Sequence, residues 1–377
     1  VALIATLDTK AAEAAFLARA LERCGLGAAL VDISLGAEGA VWQGERKLAG
    51  MAQVTTRATG DLAALVAGGA AAVIGLGGGT GGEMALALMQ NQPMDLPQVM
   101  VTTLPFDPRP ALASAGIILV PTLADIAGLN HALRQTLGRA AAMVAALVAE
   151  AGAERPVASS TGVALTALGA TQGVADGIAA GLRDAGHEPT LFHANGYGGA
   201  AYVRMASEGR FRALVDATPH ELTRLMLGGA HVAMPERFSI AVARAMPVLL
   251  LPGALNFIGL GALRDVPADL LGRPHYAHSG HFTHVKVTHD EMAALARALA
   301  AALMPAAAPV AVLVPMGGFS HQDAPGGAIE DEALRRVFLE AMQASLRPGI
   351  SLKVLDSHIN HPATAASALA ELAAFNL

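Results

Sequence analysis

The chain has 377 residues, of which 53% are hydrophobic and 15% charged, and its 31 acidic and 25 basic side chains leave a net charge of −6. That length points to two domains, and the acidic balance excludes a general nucleic-acid-binding surface. The single cysteine, Cys24, excludes an internal disulfide framework or a cysteine zinc site and fits a reducing cytoplasm. No apolar run reaches the roughly 18–20 residues a membrane span needs, and no signal peptide is read before the first strand.

In chain order, the pattern predicts a strand at Val1–Ala5, a helix at Lys10–Cys24 and a strand at Ala28–Ile33 that ends around Asp32. A helix is predicted at Gly60–Ala67, a strand at Ala71–Leu76 and a helix over Glu83–Met89. Strands at Gln98–Thr102 and Gly116–Val120 and a long helix at Asn130–Ala151 complete the half. Alternating βα units imply a parallel sheet covered on both faces, with ligands at the carboxyl ends of its strands.

The polar, proline-containing stretch Gly152-Ala153-Glu154-Arg155-Pro156 marks a boundary, with domains at 1–153 and 154–377. The pattern then restarts. A strand is predicted at Val157–Ser160 or Val163–Leu165, then a helix at Val174–Gly186, a strand at Thr190–His193 and a helix at Gly198–Gly209. Ala213–Asp216, Val248–Leu251, Val310–Val314 and Ser351–Leu355 are further strands. The expected fold is α/β, two Rossmann-like doubly wound domains with mainly parallel sheets and a cleft between them. No internal repeat is strong enough to mark the halves as duplicated.

Chemistry is expected at the strand ends. Gly77, Gly78, Gly79, Thr80, Gly81 and Gly82 lie between an apolar strand and a helix. Bare backbone N–H groups there suit a phosphate, since glycine allows φ > 0 and close approach. The alternative is a tight turn packing helix on strand. Thr6, Asp8, Thr9 and Lys10 follow the first strand, where Asp8 or Thr9 could cap a helix and Lys10 could meet a phosphate. Asp32 sits where a ribose-binding acid would, and Thr102 and Thr103 end the fourth strand.

In the second half, His193-Ala194-Asn195-Gly196-Tyr197-Gly198-Gly199 reads as a second anion cradle. Thr218 with Glu221 reads as a capping box, which leaves Asp216 the freer acid. Gly253 and Asn256, Gly317, Gly318 and Ser320, and Asp356, His358 and Asn360 end further strands, as an active-site rim would. His275, His278, His281 and His284 recur every three residues, but Pro274 and Gly280 mark a loop with no defined face. Imidazoles there suit acid–base work or ligand contact, with a transition metal as the alternative. No G-x-S-x-G surrounds Ser320.

Taken together, Thr6–Lys10, Gly77–Gly82, Asp125-Ile126-Ala127-Gly128-Leu129-Asn130, the His193–Gly199 run, Pro252-Gly253-Ala254-Leu255-Asn256 and Asp356–Asn360 resemble the UPF0261 family, the Tm-1-like ATP-binding proteins. The resemblance runs end to end. It implies two Rossmann-like subdomains, an ATP-type site with Mg²⁺ and self-association as homodimers. Departures fall in the second half: Asn256 where the family usually has Asp, His278-Ser279-Gly280 where it has H-N-P, Lys286 where it has Arg, and Ala201-Tyr202 at the end of a glycine loop. Arg to Lys keeps charge but loses the bidentate fork.

The leading expectation is a cytoplasmic ATP- and Mg²⁺-binding enzyme of transferase or ligase type, acting on a small carboxylate-type anion. Thr6, Asp8, Thr9, Lys10, Asp32, Gly77–Gly82, Thr102 and Thr103 would hold the nucleotide. His278, His193, Lys286, Asp216 and Asp356 would carry catalysis. Asn195, Gly198, Gly199, Gly253, Asn256, Gly317, Gly318, Ser320, His358 and Asn360 would line the substrate. The rivals are an ATP-independent lyase or hydrolase of an oxo-acid and a non-catalytic nucleotide sensor that engages a protein partner.

Overall fold

The structure, a computed structural model, describes residues 1–39, 41–152 and 162–377. The chain divides into two compact units, Val1–Pro156 and Val157–Leu377. Most of the polar break at 152–156, and the predicted strand at 157–160, lie outside the described residues.

The first unit holds β1 (Ala2–Ala5), β2 (Ala29–Asp32), β3 (Val73–Gly77), β4 (Gln98–Thr102) and β5 (Ile117–Pro121). They form one parallel sheet in the order β2-β1-β3-β4-β5. Side chains alternate between faces, as a period of two requires. Leu3, Ile74, Val99 and Val101 pack on the helices Leu7–Arg23 and His131–Ala151. Ile4, Val73 and Met100 pack on Gly44–Ala67 and Gly79–Met89. The strand order reverses between β1 and β3, so the loops leaving these two strands diverge and open a crevice at their carboxyl ends.

The second unit repeats this winding. β6 (Gly162–Ala167), β7 (Glu188–His193), β8 (Ala213–Asp216) and β9 (Val248–Leu250) are joined by β13 (Val310–Pro315) and β14 (Ser351–Leu355) in the parallel order β14-β13-β9-β8-β6-β7. Its reversal falls between β6 and β8. Between β9 and β13 the chain inserts β10 (Phe257–Leu260), β11 (His275–Ser279) and β12 (Phe282–Lys286), an antiparallel sheet ordered β10-β12-β11.

Three predicted features change. The helix after β3 starts at Gly79, not Glu83, so three of the loop's glycines form its first turn. Gly81 and Gly82 are buried there, and packing overrides their low helix propensity. The helix predicted from Gly60 already begins at Gly44. The histidine-rich loop is a hairpin, β11 and β12, with a bulge between Ala277 and Ser279. Its faces are therefore defined.

Candidate functional site

At the β1/β3 reversal the glycines divide into two sets. A Cβ on Gly77 would sit 2.6 Å from the Gly81 carbonyl carbon and the Gly82 nitrogen, and one on Gly81 would be 3.1 Å from Thr6 Cγ2. A Cβ on Gly82 would be 3.2 Å from the Gly77 carbonyl oxygen. These three are needed for packing. On Gly79, by contrast, a Cβ would meet nothing nearer than Pro105 Cγ at 3.9 Å, and on Gly78 nothing nearer than Thr103 Oγ1 at 3.4 Å. None of the six residues has a positive φ, so these glycines serve by lacking a side chain, not by left-handed geometry. The first N–H groups of the 11-residue helix Gly79–Met89 have no intrahelical acceptor. They point along the helix axis with its positive dipole end, where an anion is stabilised.

The neighbouring strand ends supply hydroxyls. Thr6 Oγ1 and Thr9 Oγ1 are 2.9 Å apart. Thr102 Oγ1 accepts from Leu104 N at 3.2 Å, and Leu104 holds a φ of +51°, strained for a residue with a Cβ. Lys10 is the non-helical residue inside helix Leu7–Arg23, and its ammonium donates to the Ile126 carbonyl. Asp8 N donates to Ser34 Oγ at 2.9 Å, and Asp8 Oδ2 accepts from Gly36 N at 3.2 Å. Asp32 Oδ1 accepts from Leu7 N, Ser34 N and Ser34 Oγ. Burial opposes ionisation of Asp32, but the Ser34 hydroxyl and the two N–H groups outweigh it and hold the carboxyl below its usual range. Asp32 therefore ties the β2 end to the start of the helix after β1, with all three bonds on one oxygen.

In the second unit the predicted cradle is filled from within. Gly196 N and Gly199 N donate to Glu221 Oε1 at 3.3 and 2.8 Å. Glu221 Oε2 accepts from Arg237 Nε at 2.6 Å. Arg237 also donates twice to Asp216, at 2.9 and 3.0 Å, and Asp216 accepts a third bond from Thr166 Oγ1 at 2.7 Å. Asp216 is thus a committed acid rather than the freer one. The Thr218–Glu221 capping box is absent: the helix runs Glu221–Leu227 behind His220, and Thr218 Oγ1 meets Thr171 Oγ1 at 2.6 Å. Asn195 closes a local turn by accepting from Tyr197 N at 3.2 Å. A Cβ on Gly198 would meet the His193 carbonyl oxygen at 2.3 Å, and one on Gly199 would meet Glu221 Oε2 at the same distance.

The remaining strand ends pack on one another. A Cβ on Gly253 would lie 2.1 Å from the Ala217 carbonyl oxygen, on Gly317 2.6 Å from His358 N, and on Gly318 2.5 Å from His358 Cδ2. His358 donates from Nε2 to the Ser320 carbonyl at 2.9 Å and accepts at Nδ1 from Asn360 N at 3.0 Å. Asn360 accepts from Val174 N and donates to the Ala170 carbonyl. Ser320 is fully buried and accepts from Asn256 Nδ2 at 3.0 Å. Of the five predicted catalytic residues, His193, His278 and Asp356 are exposed. Lys286 is paired with Asp331 at 2.8 Å, and Asp331 also meets His289 at 3.2 Å. Among the described residues no group of three or more His, Cys, Asp or Glu is placed to hold a metal.

The model of the UPF0261 C-terminal domain, an uncharacterised protein family, matches residues 160–376, and that of the N-terminal domain matches 37–153. The chain belongs to the UPF0261 family. A UPF0261 protein of Rhizobium meliloti is 31% identical, over 98% of this chain and 97% of its own length. One of Clostridium tetani is 27% identical over 95% and 94%. The ToMV resistance protein Tm-1(GCR237) of Solanum lycopersicum is 27% identical over 77% of this chain and 39% of its own length.

In this UPF0261 chain, several motif residues have local explanations. Asn130 caps helix His131–Ala151 by accepting from Leu133 N at 2.9 Å, and Gly128, at φ +85°, donates to Glu13 Oε1 at 2.7 Å. Sequence reading missed Arg237, Arg224, His220, Tyr276 and Asp331. Arg237, Arg224 and Asp331 stand at no motif position, and His220 and Tyr276 lie inside runs whose pattern drew the reading to their neighbours. Asp331 also fixes a pH response. Partial burial opposes ionisation, but the Lys286 ammonium, the Leu334 N–H and His289 bring its pKa down to about 2. A carboxylate lowered on folding stabilises fully above its unfolded value and loses that contribution as pH falls. Wild type should therefore lose stability between about pH 4 and pH 2 more steeply than Asp331→Asn, measured by urea midpoints across that range.

Proposed function

We propose that the first unit binds ATP with Mg²⁺, and that the protein is an enzyme acting on a small carboxylate-type anion. What carries the reading is the open ground over Gly78 and Gly79 at the β1/β3 reversal. It lies at a helix start whose first N–H groups have no intrahelical acceptor, with the Thr103 hydroxyl beside Gly78 and the Thr6 hydroxyl, bonded to that of Thr9, beside Gly81. Three packed glycines hold the turn, and two unpacked ones leave it bare. Phosphates fit that surface because backbone donors approach them without a side chain between. The free oxygen of Asp32 would take the ribose, and Lys10 would add charge. Nucleotide and cation would supply phosphoryl or nucleotidyl transfer. A cytoplasmic homodimer belongs to the same reading and is checked by sedimentation.

Isothermal titration with ATP and Mg²⁺ tests it, with Gly79→Asp as the control. A Cβ there has room and an acidic side chain suits the first turn of a helix, so the variant is expected to fold, while its carboxylate repels phosphate. Micromolar binding lost in the variant is expected. A folded wild-type protein that binds no nucleotide would leave the glycine turn as a packing device and refute the reading.

A further inference from the structure

A second cluster of buried polar groups in the second unit is left unsatisfied by the packing around it. Arg224 is 6% exposed. Its Nη1 donates to the Ala230 carbonyl at 2.9 Å and its Nε has no partner. Among the described residues no carboxylate is hydrogen-bonded to it: Glu221, the one acid on its helix, reaches it only through its field, its oxygens being taken by Arg237 and the glycine N–H groups, and burial pushes the guanidinium's pKa down. His220, fully buried, lies beside it. Its Nδ1 donates to the Ala254 carbonyl at 2.8 Å, a group that can only accept, so Nε2 carries the lone pair. That nitrogen has no partner. Ala254 holds a φ of +56°, strained for a residue with a Cβ, as its carbonyl receives this bond.

Gly259 on β10 allows the two groups to converge. A Cβ there would meet Arg224 Nη2 at 2.4 Å and His220 Nε2 at 3.0 Å. Gly259 pairs with His284, and His284 with Tyr276, so the three form one row across the small sheet. The Tyr276 hydroxyl and His284 Nδ1 share a hydrogen bond. His284 stacks on Phe257 at 4.1 Å, and Phe257 lies 4.6 Å from His220. The exposed His278 stacks on the outer side of this column, 5.0 Å from His284. Burial, then the positive charge beside them, keeps His220 and His284 neutral, with pKa values near 3.

A buried guanidinium with no carboxylate bonded to it and a buried imidazole nitrogen without a donor both destabilise the empty fold. One ligand answers both: a carboxylate for Arg224, with a hydroxyl beside it that donates to His220 Nε2. We propose that Arg224 and His220, under the hairpin bearing Tyr276 and His284, bind a small hydroxy-carboxylate. This names the class of the anionic metabolite in the reading above, and it rests on that reading only for the idea that binding leads to turnover.

Full-length protein without nucleotide is titrated with glycolate, lactate and malate, and with acetate, propionate and succinate, which lack the hydroxyl. At least one hydroxy acid should bind saturably, about tenfold or more tighter than its deoxy partner. Arg224→Met should weaken it by about tenfold or more, and His220→Phe should bring the hydroxy and deoxy acids level. Arg224→Met should also raise the melting temperature of the ligand-free protein by about 2–4 °C, because it removes a buried charge to which no carboxylate is bonded while keeping the packed stem. An arginine of purely structural role would instead lower it. Absence of binding by all three hydroxy acids, equal binding of hydroxy and deoxy acids by wild type, or a lowered melting temperature in Arg224→Met overturns the proposal. Where a buried variant does not fold, the wild-type pairs decide alone. Gly79→Asp should keep hydroxy-acid binding. Loss of nucleotide binding alone thus speaks against the first unit's role, and loss of hydroxy-acid binding alone against this site.

Discussion

Arg237→Leu should destabilise the second unit by about 3–5 kcal/mol, the scale for removing one partner of a buried charge network. Arg237 is 1% exposed and lies between two acids that are themselves buried, Asp216 at 3% and Glu221 at 0%. Its guanidinium also lies 4.6 Å from the Phe238 ring centre and 5.5 Å from that of Tyr202, which fixes its plane. Leucine fills part of the volume but leaves two carboxylates without their cation. Each would then have to take up a proton or remain charged in a dry interior. The triple variant Arg237→Leu, Asp216→Asn, Glu221→Gln should recover much of the loss, because neutral amides keep some donors and acceptors in place. Urea denaturation of all three proteins measures both quantities. A single variant within 1 kcal/mol of wild type would mean that solvent reaches the network, contrary to its burial.

Gly77→Ala should cost about 1–3 kcal/mol, while Gly79→Ala two positions on should stay within about 0.5 kcal/mol of wild type. The two sites share a loop and a residue type, so propensity alone does not separate them. At Gly77 the new methyl would press on backbone at 2.6 Å, which cannot turn aside as a side-chain end can. At Gly79 it would enter open space at the first position of a helix, where alanine is the better helix former. Thermal melts of the two variants check this. Equal losses would mean that the whole loop is a packing device, and the case for a ligand over Gly78 and Gly79 would fall with it.

These effects mark where sequence reading succeeds and where it stops. The strands at Gln98–Thr102 and Ala213–Asp216 are legible because short apolar runs between turn signals have few other solutions. The hairpin from His275 was not. Its histidines carry no apolar alternation, and strand pairing with Phe257–Leu260 supplies the order that local pattern lacks. Glu221 was mistaken for a cap because Thr218 stands three residues before it. The hydroxyl instead meets Thr171, 47 residues away in the chain.

The chain's pattern by itself determined two α/β units, the strand ends as the places for chemistry, and a glycine turn after the third strand. Those follow from periodicity and from glycine's missing side chain, both local properties. Tertiary structure alone decided which polar residues are spent on the fold. The His193–Gly199 cradle is filled by Glu221, Lys286 is paired with Asp331, and Arg224 Nε and His220 Nε2 are left without partners. Whether a charge is compensated depends on groups far off in sequence that burial brings within about 3 Å, and no window along the chain contains that information.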